Sequence, residues 1–523
     1  MMTVTENTIN SCIFYNCSYE TGILRKGAGV MAKELLEKAR SYEREQLYKA
    51  QGDRPLFHMT AIAGWINDPN GFAPYKGEYH LFFQYYPYDL KWGTMHWGHA
   101  KTEDFIRWEH LPCALAPDKE YDKDGCFSGG ALELSDGRHL LMYTGVSSKI
   151  NKDGKTETFQ TQCIAFGDGE NYEKYEANPV IAKDLLPEGS DAYDFRDPKI
   201  WHEDDKYYAV IGNRGPDKSG RILLYESRDA VKWSFVSVLA ACNNQYGRMW
   251  ECPDFFKLDN KHVLIVSPQE MSAVGPEFHP GNANVCLIGT FDKKLHVLDR
   301  EAVQAVDYGL DFYAPQTLLT KDGRRVMIGW MQNWETSMHT LPDTSFMGQM
   351  TLPRELSVKN NRLYQMPVRE LDAYRAERVY YSDIRINGEK CLEGIKGRYI
   401  DMTINVRPAD ENGLYKRFCI YVAKDTVHYT LISFEPGENT ITVDRTCGGF
   451  PHDIVNVRAF PVNSQKGRLK LRLIMDRFSL ELFVNDGMQA ASFIIYTASD
   501  ADGISFESDG EVAAEVEKYE LRV

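Results

Sequence analysis

The run HLLMYT at His139–Thr144 decides the fold, because segments of its kind recur along the chain. HLFFQ at His80–Gln84, YYAVIG at Tyr207–Gly212, HVLIVS at His262–Ser267 and RVMIGW at Arg325–Trp330 are likewise short, apolar and rich in β-branched or aromatic residues. Runs this brief read as buried strands. Their centres, near 82, 141, 209, 264 and 327, are separated by about 59, 68, 55 and 63 residues. Such a period holds one four-stranded sheet with its loops. Five units predict an all-β chain built on a five-bladed β-propeller, with sheets repeated radially around a central channel. A partial second repeat agrees: EDFIRW at Glu103–Trp108 and RDAVKW at Arg228–Trp233 both set Asp four residues before Trp.

Helical periodicity is confined to the stretch before the first run. Leu35, Leu36, Ala39, Tyr42 and Leu47 recur on roughly one face, predicting a helix over Ala32–Gln51 that Asp53, Arg54 and Pro55 stop. After the fifth run the propeller is expected to close near Leu352-Pro353-Arg354-Glu355, with a short, partly helical linker through Pro367–Tyr374. Beyond it, Leu469–Ile474 and Ser479–Val484 alternate apolar and polar residues, and Asn485-Asp486-Gly487 is a hairpin signal before Ser492–Tyr496. Short strands at this spacing predict a β-sandwich. The expected division is an N-terminal extension over 1–50, the propeller over 51–358, a linker over 359–375 and the sandwich over 376–523.

Composition narrows the function without naming it. The 523 residues carry 60 Lys+Arg against 75 Asp+Glu, a formal charge of −15, which argues against nucleic acid as a partner. No apolar run approaches the ~18 residues of a membrane span. No basic residue precedes Arg25 and the apolar stretch Cys12–Tyr15 is too short for a signal peptide. Eleven cysteines contain no C-x-x-C pair, so they read as reduced thiols in a cytoplasmic protein. The alternative is a secreted protein exported without a recognisable signal.

The chemistry is found by asking what occupies the same place in each repeat. About 11–14 residues before the five run centres stand Asp68, Ser128, Asp197, Glu251 and Tyr313. They sit in Trp65–Gly71 (WINDPNG), Phe127–Gly130 (FSGG), Phe195–Pro198 (FRDP), Trp250–Asp254 (WECPD) and Asp311–Gln316 (DFYAPQ). If these are ends of innermost strands, they converge on one funnel with three carboxylates, an arginine and several aromatics. Two carboxylates facing a sugar's anomeric carbon are the machinery of glycoside hydrolysis. Trp65, Trp92, Phe127 and Trp330 could stack on sugar faces, and Asn67, Gln84 and Arg196 could hydrogen-bond hydroxyls. Each piece has a plainer reading: Asp68-Pro69-Asn70-Gly71 and Asp197-Pro198 are good turn sequences. Glu251 is harder to dismiss, since a carboxylate among apolar neighbours is costly unless paired or used. The common phase of the three acids favours a site.

Two metal-like patterns fail. His96 and His99 lie three apart with no metalloprotease Glu, and Asp122-Lys123-Asp124-Gly125 places Cys126 and Phe127 where a calcium loop needs an oxygen ligand and Gly. No phosphate-cradling glycine loop and no nucleophilic serine elbow occur, so neither a metal nor an organic cofactor is implied.

Taken together, Trp65–Gly71, the Arg196-Asp197-Pro198 tripeptide and Glu251-Cys252 resemble, in order and separation, the motifs of glycoside hydrolase family 32, the β-fructofuranosidases. Met95–His99, Phe127-Ser128-Gly129, Asp311–Thr317, Thr351–Leu356 and Asp476-Arg477 through Gly487 are secondary matches, so the resemblance covers roughly 50–523. It implies a five-bladed propeller plus β-sandwich and a retaining mechanism. Asp68 would be the nucleophile, Glu251 the acid and then base, and Asp197 the stabiliser of the oxocarbenium-like transition state. Asn67, Gln84, Trp92, Phe127, Ser128 and Arg196 would line the fructose pocket. On these roles the shared proton should stay on Glu251, raised by burial and by Asp68. Tyr86 stands where many members have Asn, and Gly130 where many have Ser. The Met95–His99 segment resembles sucrose and sucrose-6-phosphate enzymes, favouring a small carbohydrate substrate. An exo-acting fructan hydrolase, a fructosyltransferase and a non-catalytic fructan-binding module remain as alternatives, the last disfavoured because Asp68 and Glu251 are both present.

Overall fold

The computed structural model describes residues 28–49, 53–335, 344–410, 413–449 and 455–523. Five blades of four antiparallel strands follow one another along the chain, the first sheet gaining a fifth, parallel strand. In each, the second strand holds one of the five apolar runs: Glu78–Tyr86, His139–Ile150, Lys206–Arg214, Lys261–Gln269 and Arg325–Trp330. These strands are flanked inside their own sheet and packed between neighbouring sheets, so residues such as Leu141, Ile211 and Ile265 are fully buried. Burial on both faces is what made them continuous rather than alternating.

The first strands of the blades are Gly64–Tyr75, Gly125–Glu133, Phe195–Glu203, Met249–Leu258 and Tyr313–Leu319. Each touches the first strand of the next blade, and the fifth touches the first, so together they ring the central channel. Closure is secured by Phe346–Met347, which pairs in parallel with Gly64 and Trp65. The repeated Asp is a turn device. Asp104 Oδ1 accepts the Ile106 and Arg107 amides, and Asp229 Oδ1 accepts those of Val231 and Lys232. In both turns the following residue, Phe105 or Ala230, takes a positive φ. The fourth strand of the fifth blade is Arg362–Pro367, so the last sheet runs past residue 358.

The C-terminal region is ten hydrogen-bonded strands around one large apolar core. The 19-residue strand Gly503–Leu521 organises it, pairing with Arg417–Lys424 through its first half and with Ile400–Pro408 through its second. The hairpin falls where expected: Asn485, Asp486 and Gly487 all adopt positive φ, although the returning strand is Gln489–Ile494 rather than 492–496. Buried ion pairs fasten this region to the propeller. Arg354 binds Glu481, Asp307 and Ser492, and Arg445 pairs with Asp311 at 2.6 Å, two residues before Tyr313.

The N-terminal helix spans Ala28–Lys49, starting four residues before the expected Ala32. Its docked face keeps Leu36, Ala39 and Tyr42 of the predicted five and adds Glu43. Ala39 and Glu43 are buried, whereas Leu35 and Leu47 are exposed. Beside those apolar contacts, Arg40 and Glu43 bond to the edge of a strand. The aperiodic residues before it lie outside the described residues. No helix among the described residues is long and apolar enough to cross a membrane.

Candidate active site

Each of the five channel-lining strands is bulged at one level, with one extra residue between Ile66 and Pro69, Phe127 and Gly129, Arg196 and Lys199, Glu251 and Asp254, and Tyr313 and Gln316. A bulge kinks its strand and redirects side chains, which is why bulges gather at barrel rims and active sites. Four contain an X-Pro pair: Asp68-Pro69, Asp197-Pro198, Cys252-Pro253 and Ala314-Pro315. Proline has no N–H to leave unpaired where the ladder opens. In the second blade Gly129 takes that place; a Cβ there would fall 2.0 Å from the Met142 carbonyl oxygen. Asp197, Cys252 and Ala314 hold positive φ of 65°, 47° and 49°, local strain that the sheets around them sustain.

This recurring proline corrects the phase read from the sequence. Aligned on it, Asp68, Ser128, Asp197, Cys252 and Ala314 form one tier, and Asn67, Phe127, Arg196, Glu251 and Tyr313 the next. Contacts run along each tier from blade to blade. In the first, the Ser128 hydroxyl donates to Asp68 Oδ2 at 2.8 Å, and Cys252 Sγ lies 3.4 Å from Asp68 Oδ2 and 3.6 Å from Asp197 Oδ2. The Cys252 amide also donates to Asp197 Oδ2 at 3.0 Å. In the second, Arg196 Nε donates to Glu251 Oε1 at 2.9 Å, and the Tyr313 hydroxyl donates to Glu251 Oε2 at 2.6 Å. Asn67 joins the tiers, accepting from the Trp65 indole at 2.8 Å and donating to Asp68 Oδ1 at 3.1 Å.

Three carboxylates against one guanidinium set the electrostatics. Burial, reinforced by the Glu251 carboxylate, pushes Asp68 up to about 6; Asn67, Ser128 and Cys252 pull the other way. Burial lifts Asp197 to about 7, with Arg196 opposing and Glu251 and Asp68 adding to the rise. Both aspartates thus stand above the usual carboxylate range. Burial works against the Arg196 cation, but Glu251, Asp194 and Asp197 outweigh it and hold it above its ordinary range. Burial and the two acids keep the Cys252 thiol protonated, a donor between two acceptors.

The remaining predicted residues form the walls. Trp65 and Trp330 are buried and meet edge-on, with Trp334 stacked on Trp65 at 6.2 Å. Trp92 is 47% exposed at the mouth and meets Phe127 edge-on at 6.2 Å. Gln84 is buried and donates to the Cys126 carbonyl at 3.0 Å, bracing the strand that carries Phe127 and Ser128. Sequence reading quoted Cys252 without giving it a role and missed Trp334, Asp194, which binds Arg196 at 2.7 Å, and Thr144, whose hydroxyl accepts the Asp197 amide. The X-Pro repeat was the available signal for Cys252. The two metal-like patterns are otherwise engaged: Asp122 holds Lys174 and the Tyr143 hydroxyl, and His99 bonds to His80.

This arrangement can do two-carboxylate chemistry on a sugar, and the comparisons agree. The model for the N-terminal domain of glycosyl hydrolases family 32 matches residues 58–367 and that for its C-terminal domain residues 370–522. A sucrose-6-phosphate hydrolase of Zymomonas mobilis is 34% identical over 461 residues, 86% of this chain and 88% of its own. A raffinose invertase of Escherichia coli is 36% identical over 465 residues, 86% of this chain and 91% of its own. The solved GH32 β-fructofuranosidase of Bombyx mori in complex with sucrose superposes with a TM-score of 0.79 at 34% identity, covering 93% of this chain and 98% of that one. The chain is a glycoside hydrolase and belongs to family 32.

Proposed function

We propose that the protein is a cytoplasmic, retaining β-fructofuranosidase that cleaves sucrose or its 6-phosphate. Asp68 attacks C2 of the fructosyl unit while Glu251 gives its proton to the departing glycosidic oxygen, so the C2–O bond breaks as the Asp68 ester forms. Glu251 then takes a proton from water, which attacks C2 and releases fructose, returning both carboxyls to their starting forms. Asp197 holds fructose hydroxyls and faces the positive charge that develops at C2. The burial that lifts Asp68 to about 6 and Asp197 to about 7 disfavours full ionisation of the cluster, and Glu251 acts as the donor within it. Arg196 and Tyr313 hold Glu251 in place.

One observation carries this reading: acids from three blades are joined through Ser128, Cys252 and Arg196 into one cluster at the channel end. Relatives named for sucrose-6-phosphate and raffinose, and a neighbour solved with sucrose, support the substrate class. Nine free cysteines among the described residues, seven of them buried, support a reducing compartment. The test is turnover on sucrose, sucrose-6-phosphate, kestose and inulin by the protein and by Asp68→Asn and Glu251→Gln. The variants should fold and lose roughly two to four orders of magnitude in kcat on sucrose. Near-parent turnover by either overturns the assignment, and a preference for inulin overturns the substrate.

A further inference from the structure

The family match begins at residue 58, yet helix Ala28–Lys49 is docked against the first blade with unusual economy. Arg40 Nε donates to the Cys113 carbonyl at 2.9 Å and the Cys113 amide donates to Glu43 Oε2 at 2.9 Å. Two helix side chains thus satisfy both main-chain groups of one residue on the outer strand Glu109–Leu115, covering an edge that would otherwise be open. Arg40 also reaches Asn171 of the second blade at 3.0 Å.

The same helix leads to the mouth of the candidate active site through a file of rings. The Lys38 ammonium sits 4.9 Å from the Tyr88 ring centre and Tyr42 meets Tyr88 edge-on at 5.4 Å. Tyr88 in turn meets Tyr86 edge-on at 5.5 Å. Tyr86 pairs with Trp65 across the strands and packs on the cluster of Trp65, Met95, Cys252, Tyr313 and Trp330. Gly93 lies flat on the Tyr86 ring, so close that a Cβ would stand 2.7 Å from its carbons. Gly93 follows Trp92, the half-exposed ring at the mouth.

We propose that this helix is a positioning element for substrate: Tyr42, through Tyr88 and Tyr86, holds the Trp92-Gly93 turn in the orientation that meets the sugar at the mouth. The inference rests on the proposed function for what the mouth binds. Tyr42 touches no substrate, so its loss should weaken binding and spare the chemical step. An edge-on aromatic contact contributes about 1 kcal/mol, or roughly fivefold in affinity.

The test uses the full chain with Tyr42→Ala, Tyr42→Phe and, on the same helix, Tyr48→Ala, whose ring is 87% exposed. Sucrose KM and kcat are measured alongside hydrogen–deuterium exchange of peptides covering residues 87–95. Tyr42→Ala should raise KM by about three- to tenfold with kcat within twofold and should speed exchange in 87–95, whereas Tyr42→Phe and Tyr48→Ala match the parent. Unchanged KM and unchanged exchange in 87–95 for Tyr42→Ala, even with a lower melting temperature, would overturn the proposal and leave the helix as an edge cover only. If the parent itself fails to turn over sucrose, the functional reading fails, and the exchange measurement still decides whether the helix holds the turn.

Discussion

The hydroxyl of Ser128, on the second blade, donates to Oδ2 of Asp68, on the first, at 2.8 Å. A donor of this kind favours the ionised carboxylate, against the burial and the Glu251 charge that lift Asp68 to about 6. Asp68 attacks only when ionised, so kcat/KM on sucrose should fall below pH about 6. In Ser128→Ala one stabilising bond is gone and the carboxyl rises further, so the acidic midpoint should move from about 6 toward 7. A pH profile of kcat/KM for parent and variant reads this directly. An unmoved or lowered midpoint would detach the limb from Asp68.

Tyr313 tests whether Glu251 must be held. Its hydroxyl donates to Glu251 Oε2 at 2.6 Å from the neighbouring blade, while the ring is buried in the Trp65 and Trp330 cluster. Tyr313→Phe removes the bond and keeps the ring. A hydrogen bond to a charged group is worth about 1.5–3 kcal/mol, so kcat should fall roughly 10- to 100-fold while the melting temperature changes little. A variant with parent kcat would show that Arg196 alone suffices to orient the acid.

The join between the two domains carries its own pH dependence. His58 is fully buried with Nδ1 2.9 Å from Asp476 and Nε2 2.9 Å from Glu481. Burial works against its charge, but the two acids prevail and hold it at about 9, above the ordinary 6.5. A raised cation stabilises fully below 6.5, and its contribution is lost as pH climbs through about 9. His58→Gln should therefore cost about 3–5 kcal/mol at pH 6, leaving buried Asp476 without a positive partner and Glu481 with Arg354 alone. The gap in melting temperature between parent and variant should narrow steadily from pH 6.5 to 9.5. A constant gap would mean that His58 is neutral in the folded protein.

These relationships were unequally visible in the sequence. The second strand of each blade is buried on both faces, so its apolar run stands out and its period gives the propeller. The first strands carry polar residues around a bulge, and a bulge shifts register by one residue without any mark in hydropathy. Run centres fix the phase only to within a residue or so, and so Glu251 and Tyr313 are read one place out of phase with Asp68 and Asp197, while Cys252, which touches both of those acids, is quoted beside Glu251 without a role. In helix Ala28–Lys49 periodicity found Leu36, Ala39 and Tyr42 on the docked face, but it also pointed to exposed Leu35 and Leu47 and gave no sign of Arg40 and Glu43, which bond to a main-chain edge. The charge state of the cluster was beyond the sequence too, because it depends on which acid Arg196 reaches.

That last point can be tested by separating Glu251's charge from its proton. Glu251 raises Asp68 through its negative charge, second only to burial. Glu251→Gln removes that charge and leaves an amide of the same shape beside Arg196 and Tyr313. On sucrose the variant lacks the proton donor and should be nearly inactive. On a β-fructofuranoside with a good leaving group, such as p-nitrophenolate, departure needs no acid, so attack by Asp68 should persist as a burst of nitrophenol followed by slow turnover. With the neighbouring charge gone, Asp68 should ionise more readily, and the acidic midpoint of the burst should fall below the parent's value of about 6. A burst whose midpoint rises would show that Glu251 supports the Asp68 anion instead of opposing it. The complete absence of a burst, in a variant whose melting temperature matches the parent, would remove Asp68 as the attacking group.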